Sequence, residues 1–281
     1  SYHYTESVLI CHNEIHLRPR NSSRQTCFLA KVDVTPEPAV QSDHVDFFGN
    51  QVTYFTVQDR HKKLTVTARS EVEVLPFAPP MAAFTPAWED VRDGLKGEQA
   101  HRHVEVIQYV YESAYVKTQD ELAEYALQSF TPRRPILEAA VDLTTRIHAD
   151  FKYDPTATTM RTSVAEVFKM RRGVCQDFTH LQLSCLRSLG LAGRYVSGYL
   201  LTLPAPGRER LIGADASHAW LSIFCPGFGW IDLDPTNDLV PSDKHVLLAY
   251  GRDYGDVSPI KGVILGGGKH VIEVSVDVKP M

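Results

Sequence analysis

Gly173-Val174-Cys175-Gln176-Asp177-Phe178-Thr179-His180 is the stretch on which the reading of this chain turns. A glycine stands two residues before a cysteine, and an apolar period of three and four residues starts just after it. Phe178, Leu181, Cys185, Leu186 and Leu189 carry that period to Gly190-Leu191-Ala192-Gly193, a helix-stop signature. The pattern predicts a buried helix with Cys175 in its first turn. Unpaired backbone N–H groups and the positive end of the helix dipole favour a thiolate at that place, and a thiolate is the nucleophilic form. Taken alone, the residue reads as a core cysteine rather than a nucleophile, since cysteine is among the most buried residue types. The segments around it decide between the two.

Upstream, Phe151-Lys152-Tyr153-Asp154-Pro155 ends one helical pattern, and Thr162 or Ser163 can cap a short helix over Val164 to Met170. Downstream the period becomes two. Residues 193–202 read as a strand, Pro204 to Ala216 as a polar loop able to cover a cleft or to lie as plain surface, and His218 to Phe224 as a second strand. Pro226-Gly227 and Gly229 make a turn. Trp230 to Asp234 is a third strand, ended by Pro235-Thr236. The resulting hairpin sets His218 at its entrance and a carboxylate at its exit, side by side. An activated cysteine needs a base within hydrogen-bond reach and a third group to fix the base's tautomer. His218 suits the second role. Asp234, at the strand end, suits the third, with Asp232 on the same strand face as its rival. Trp220 and Trp230 are candidates to line a substrate cleft.

Further out, residues 88–150 are helical in period, with apolar stripes at Val106, Ile107, Val110, Tyr111 and Ala114 and at Leu137, Ala140, Val141, Thr144 and Ile147. Thr118-Gln119-Asp120-Glu121 has the form of a capping box. Residues 1 to about 75 alternate as strands, with Gly49-Asn50 offering the left-handed conformations of a hairpin turn and His3, His12 and His16 reading as surface residues. Pro76 to Pro86 break the pattern, and a last strand runs from His270 to Val278. The organisation is therefore α+β: an N-terminal β-sandwich over residues 1–80, then residues 81–281 with helices first and antiparallel strands after.

The bulk composition narrows the function classes. The 281 residues are 43% hydrophobic and 22% charged, with a formal net charge of -5, which argues against nucleic acid as a partner. No apolar run reaches the ~20 residues of a membrane span, and the first twenty residues, with Glu6, His12, Glu14 and Arg18, lack a signal-peptide pattern. A chain that starts at Ser1 leaves room for a removed upstream segment. Five cysteines, none at C-x-x-C spacing, suit a reducing, cytoplasmic setting better than a disulfide framework. Twelve histidines include no H-E-x-x-H, so neither a metal nor another cofactor is expected.

Taken together, the motifs Gly173-Val174-Cys175-Gln176-Asp177, Leu186 to Gly190, Ala192 to Tyr199, His218-Ala219-Trp220 and Gly229 to Thr236 resemble the transglutaminase-like domain, a papain-like cysteine superfamily. The match covers roughly residues 145–240. Residues 1–80, with Leu17-Arg18-Pro19, Asp46 to Asn50 and Leu64-Thr65-Val66, resemble the β-rich region that precedes this domain in bacterial proteins. The resemblance implies a papain-like core and a Cys175-His218-Asp234 triad, and it selects Asp234, the aspartate of the Asp-Pro-Thr motif, over Asp232. It implies acyl transfer through a thioester on a peptide or protein amide substrate. The Cys175 backbone N–H is then the first oxyanion donor, with Gln176 and Tyr153 as candidates for a second. Three functions fit: hydrolysis of a peptide or amide bond, protein-glutamine γ-glutamyl transfer, or a non-catalytic peptide-binding module. Bacterial relatives lean towards hydrolysis.

Overall fold

A computed structural model describes residues 1–97, 101, 103–202 and 216–280 of the chain. Five strands come first: β1 (Tyr2–Ile15), β2 (Gln25–Thr35), β3 (Val40–Val45), β4 (Gln51–Val57) and β5 (His61–Val74). The first residues of β1 pair with β5 and with β13 (His270–Ile272), and its last pair with β4 and with β12 (Ile260–Gly266). β2 extends one group through β5, and β3 extends the other through β4. The two groups close over Tyr4, Val8, Cys11, Ile15, Phe55, Val57 and Leu64, which is the sandwich that strand alternation predicts. The tail departs from expectation. Both of its strands return to the N-terminal sheet, and the last is shorter than 270–278, because only Tyr2 to Tyr4 of β1 offer it partners. His16 is buried rather than exposed, with Nδ1 on Ser258 O at 3.1 Å and Nε2 3.5 Å from Asp46.

Helices follow: α1 (Trp88–Gly94), α2 (Val104–Ile107), α3 (Asp120–Leu127) and α4 (Ile136–Asp150). The apolar stripe over 103–116 yields only the four residues of α2, and Tyr111 is exposed. Tertiary contacts claim the backbone that a longer helix would need. The carbonyl of Tyr109 accepts from Arg187 Nε (3.0 Å) and Gly193 N (3.2 Å), and Ser113 N turns back to Val116 O. The capping box at Thr118 does not form either; Gln119 is the N-cap of α3, and Thr118 hydrogen-bonds Glu112 instead.

Next come β6 (Lys152–Tyr153), α5 (Val164–Met170), β7 (Arg172–Gly173) and α6 (Cys175–Ser188), then the strands β8 (Gly193–Leu200), β9 (Ala216–Cys225), β10 (Gly229–Leu233) and β11 (His245–Gly251) and the short α7 (Tyr254–Val257). Ser163, one of the two expected caps, is the N-cap of α5, and Glu166 completes a capping box with it. The four strands form an antiparallel sheet in the order β10-β9-β8-β11. α6 is the buried centre of this half: every residue from Asp177 to Arg187 is buried. Its apolar side chains each add about 1.5–3 kcal/mol of burial, and its polar ones must therefore be paired. Gln182 Nε2 donates to Thr144 Oγ1 (2.8 Å), and Arg187 donates to the carbonyls of Tyr109, Gly193 and Arg252 and to Ser113 Oγ.

The N-terminal sandwich is fastened to the outer edge of β11. Gln25 donates to Leu247 O and accepts from Leu247 N, both at 2.7 Å. Asn50 does the same for Tyr250 at 2.7 and 2.8 Å. Two side-chain amides thus stand in for a neighbouring strand and satisfy an edge that would otherwise carry buried unpaired backbone. Gly49 takes the left-handed turn conformation at φ 78°, whereas Asn50 is spent on this clamp.

Candidate active site

Cys175 is the first residue of α6, half-buried at the helix start. The turn before it is built by Asp177, whose Oδ2 accepts from Val174 N (2.8 Å) and Thr158 Oγ1 (2.6 Å). That carboxylate folds back over Gly173; a Cβ there would lie 2.7 Å from Asp177 Oδ2, so only glycine fits. Burial raises the Asp177 carboxyl, and the bonds from Thr158 and Val174 oppose the rise.

His218 lies on β9 beside Gly198 of β8. Its Nε2 is 2.7 Å from Asp234 Oδ2, and Cys175 lies close enough to act on the imidazole electrostatically. With Nε2 committed to the carboxylate, Nδ1 is the nitrogen left for sulfur. Asp234 follows β10 in a bridge with Leu239 and is fully buried. Its Oδ1 accepts the backbone N–H groups of Thr236 (3.0 Å) and Asn237 (3.2 Å). Its Oδ2 accepts from His218, from Asn237 Nδ2 (2.7 Å) and from His245 Nε2 (3.2 Å). Burial alone would raise this carboxyl, but the bonds from His218, His245 and Asn237 outweigh it and hold the group well below the usual carboxylate range. For His218, burial acts to lower the imidazole; the bonds and charges of Asp234 and Cys175 reverse this and push it up to about 10. The proton on Nε2 is therefore held in place by a carboxylate that does not take it.

Asp232 is not engaged in this chain of contacts; it accepts from Ser222 Oγ at 2.5 Å. Trp220 is buried against the rings of His218 and His245, at centroid distances of 5.9 and 5.1 Å. Gly198 makes room for it, since a Cβ there would come within 2.4 Å of the indole. Trp230 sits near the turn end of the hairpin, about 13 Å of strand from Asp234, packed on Tyr109, Phe224 and Arg194. Tyr153 is half-exposed and close enough to Cys175 to feel its charge; burial first, and that charge second, raise its hydroxyl. Gln176 is half-buried in the same turn as Cys175. Residues 204–215 of the polar loop lie outside the described residues.

Sequence reasoning passed over Asn237 and His245. Asn237 stands just past the Asp-Pro-Thr turn. His245 opens β11, a strand otherwise made of apolar residues, Tyr250 and Gly251, and a histidine at the head of such a strand was the available signal. Among the described residues, His218, Asp234 and His245 are the one group with metal-ligand spacing, their donor atoms lying within 4.8 Å of one another. The arrangement is already accounted for by hydrogen bonding, because both imidazoles and the Asn237 amide crowd the same carboxylate oxygen.

Comparison with known proteins supports the resemblance of both halves of the chain. Residues 1–73 match the bacterial transglutaminase-like N-terminal region, and residues 120–235 match the transglutaminase-like superfamily. An uncharacterized protein of Mycobacterium tuberculosis is 42% identical over 288 residues, covering 99% of this chain and 90% of that protein. One from Mycobacterium leprae is 34% identical over 284 residues, covering 99% and 95%. A protein-glutamine gamma-glutamyltransferase of Pseudomonas aeruginosa is 28% identical over 99 residues, 32% of this chain and 15% of that protein. Among solved structures, a candidate cysteine protease from Cytophaga hutchinsonii superposes with a TM-score of 0.72 at 19% identity, covering 100% of this chain and 89% of that one. That likeness is one of fold.

Proposed function

Since the chain belongs to the transglutaminase-like superfamily, we propose that it is a cysteine-dependent acyl-transfer enzyme acting through a thioester, with water as the acyl acceptor. One observation carries the reading: Cys175 at a helix start lies within electrostatic reach of His218, whose Nε2 is 2.7 Å from a buried Asp234. A peptide-binding module has no need of that chain of contacts. In the reaction, Cys175 Sγ attacks a carboxamide or peptide carbonyl, and the C–N bond breaks as His218 delivers its proton to the departing amine. Water then attacks the thioester, His218 takes the water's proton, and Cys175 leaves. The N–H of Cys175, with no intrahelical acceptor at the first helix position, is the oxyanion donor and lowers the barrier by about 3 kcal/mol. Tyr153 and Gln176 are the candidates for a second donor.

The 99-residue similarity to a gamma-glutamyltransferase keeps an amine acceptor as the second reading. Incubating the protein with a mixture of glutaminyl peptides, with and without a labelled primary amine, separates the two. Hydrolysis is expected: cleaved peptide or released ammonia, dependent on Cys175, with no label incorporated. Amine incorporation would favour the transferase. Identical traces from the wild type and Cys175→Ser would overturn both.

A further inference from the structure

We propose that His245 is a positioning residue of the triad, a second imidazole that holds Asp234 in register from the opposite edge of the sheet. This rests on the catalytic reading above. β10, which leads into Asp234, and β11, which carries His245, are the two edges of the four-stranded sheet, with β9 and β8 between them. No backbone pairing therefore connects the two residues, and the contact at Asp234 Oδ2 is made by side chains alone. His245 is 6% exposed, and its Nδ1 has no hydrogen-bond partner among the described residues. The tautomer with its hydrogen on Nε2 donates to Asp234 and leaves only a bare lone pair at Nδ1, which is cheaper to bury than an unpartnered N–H.

One further contact fixes the ring, and two more fix the strand that carries it. Trp220 meets it edge-to-face at 5.1 Å, and Trp220 also backs His218, so one indole sets both imidazole planes. Gln25 and Asn50 lock β11 by the backbone of Leu247 and Tyr250. The N-terminal sandwich thus reaches the triad through the strand that carries His245. The titratable groups facing His218 are Cys175 on α6, Asp234 after β10, and His245 on β11. Two imidazole N–H groups share one carboxylate oxygen. Each donor weakens the carboxylate as a base for the other, so His245 moderates how tightly Asp234 retains the proton of His218.

The test uses iodoacetate on the full chain, with alkylation of Cys175 followed against pH. This reagent is an anion, so the His218 imidazolium attracts it and the rate falls as His218 loses its proton. For His245→Leu, the rate constant is expected to fall about 10-fold and the alkaline limb to rise by more than ~0.5 pH unit, as Asp234 is freed from a competing donor. His245→Gln, whose amide nitrogen occupies the place of Nε2, should restore both. A purely structural role would lower the melting temperature of both variants and leave the limb in place. That result, or a rate within about 2-fold of wild type for folded His245→Leu, would overturn the proposal. His218→Ala is the control: if it leaves the alkaline limb of the otherwise wild-type protein unchanged, the triad fails and this proposal fails with it. If His218→Ala abolishes the limb and His245→Leu does not move it, only the role of His245 is lost.

Discussion

Asp234→Asn removes one charge from the site while keeping its shape. The carboxylate and the His218 ring face each other through a 2.7 Å contact, which puts their charge centres about 4 Å apart. At an effective dielectric near 20, that pair is worth about 4 kcal/mol, or ~3 pH units. His218, pushed up to about 10 in the wild type, should therefore fall to about 7 in the variant. The asparagine cannot recover the loss by turning. With its oxygen towards His218, its NH2 meets the N–H groups of Thr236 and Asn237; turned over, it meets His218, His245 and Asn237 Nδ2. Donor faces donor either way, and an added loss of about 3–5 kcal/mol of folding stability is expected. The sign with pH follows from a folded-state value raised above the ordinary 6.5. The contribution of His218 is complete below about 6.5 and is lost as pH rises through about 10. The stability gap between wild type and variant should thus be widest below pH ~6.5 and narrow towards pH ~10. The assay pairs urea melts at several pH values with the iodoacetate profile at Cys175. An alkaline limb still within one unit of 10 in the variant would refute the electrostatic reasoning.

Other perturbations follow from the same contacts. Gly198→Ala would drive a Cβ to 2.2 Å from Val246 O and 2.4 Å from Trp220, so the indole and the imidazole rings beside it must shift. Alkylation of Cys175 should slow and stability should drop by about 1–3 kcal/mol, checked by the same rate assay and a thermal melt. Gln25→Ala leaves the N–H and carbonyl of Leu247 unpaired in a buried place and should cost about 1–3 kcal/mol in chemical denaturation.

The parts of this molecule that were legible in the sequence are those in which local pattern and tertiary demand agree. α5 with Ser163 as a candidate cap, α6 beginning at Cys175, and the hairpin of β9 and β10 each follow from apolar period and turn residues. The segment around 103–116 was misread because its carbonyls serve Arg187 and Gly193, a demand that no local window contains. The burial of Trp220 lies out of reach for a similar reason: period two puts it on the face of His218, but only the close approach of Gly198 shows how tightly the indole is packed. His245 and the return of β12 and β13 to β1 are contacts between residues far apart in the chain, and no spacing rule reaches them.

One of the five cysteines, Cys175, is singled out as the nucleophile by its surroundings. Cys11, Cys185 and Cys225 are buried, and Cys27 is half-buried like Cys175. Burial raises the thiols of all four competitors, Cys185 to about 12 and Cys225 to about 11. Brief treatment of the native protein with iodoacetamide near pH 7, followed by peptide mapping, reads the ranking directly. Cys175 should be modified well ahead of Cys27, and His218→Ala should abolish the lead. Equal labelling of Cys27 and Cys175, or a Cys175 rate indifferent to His218→Ala, would contradict it.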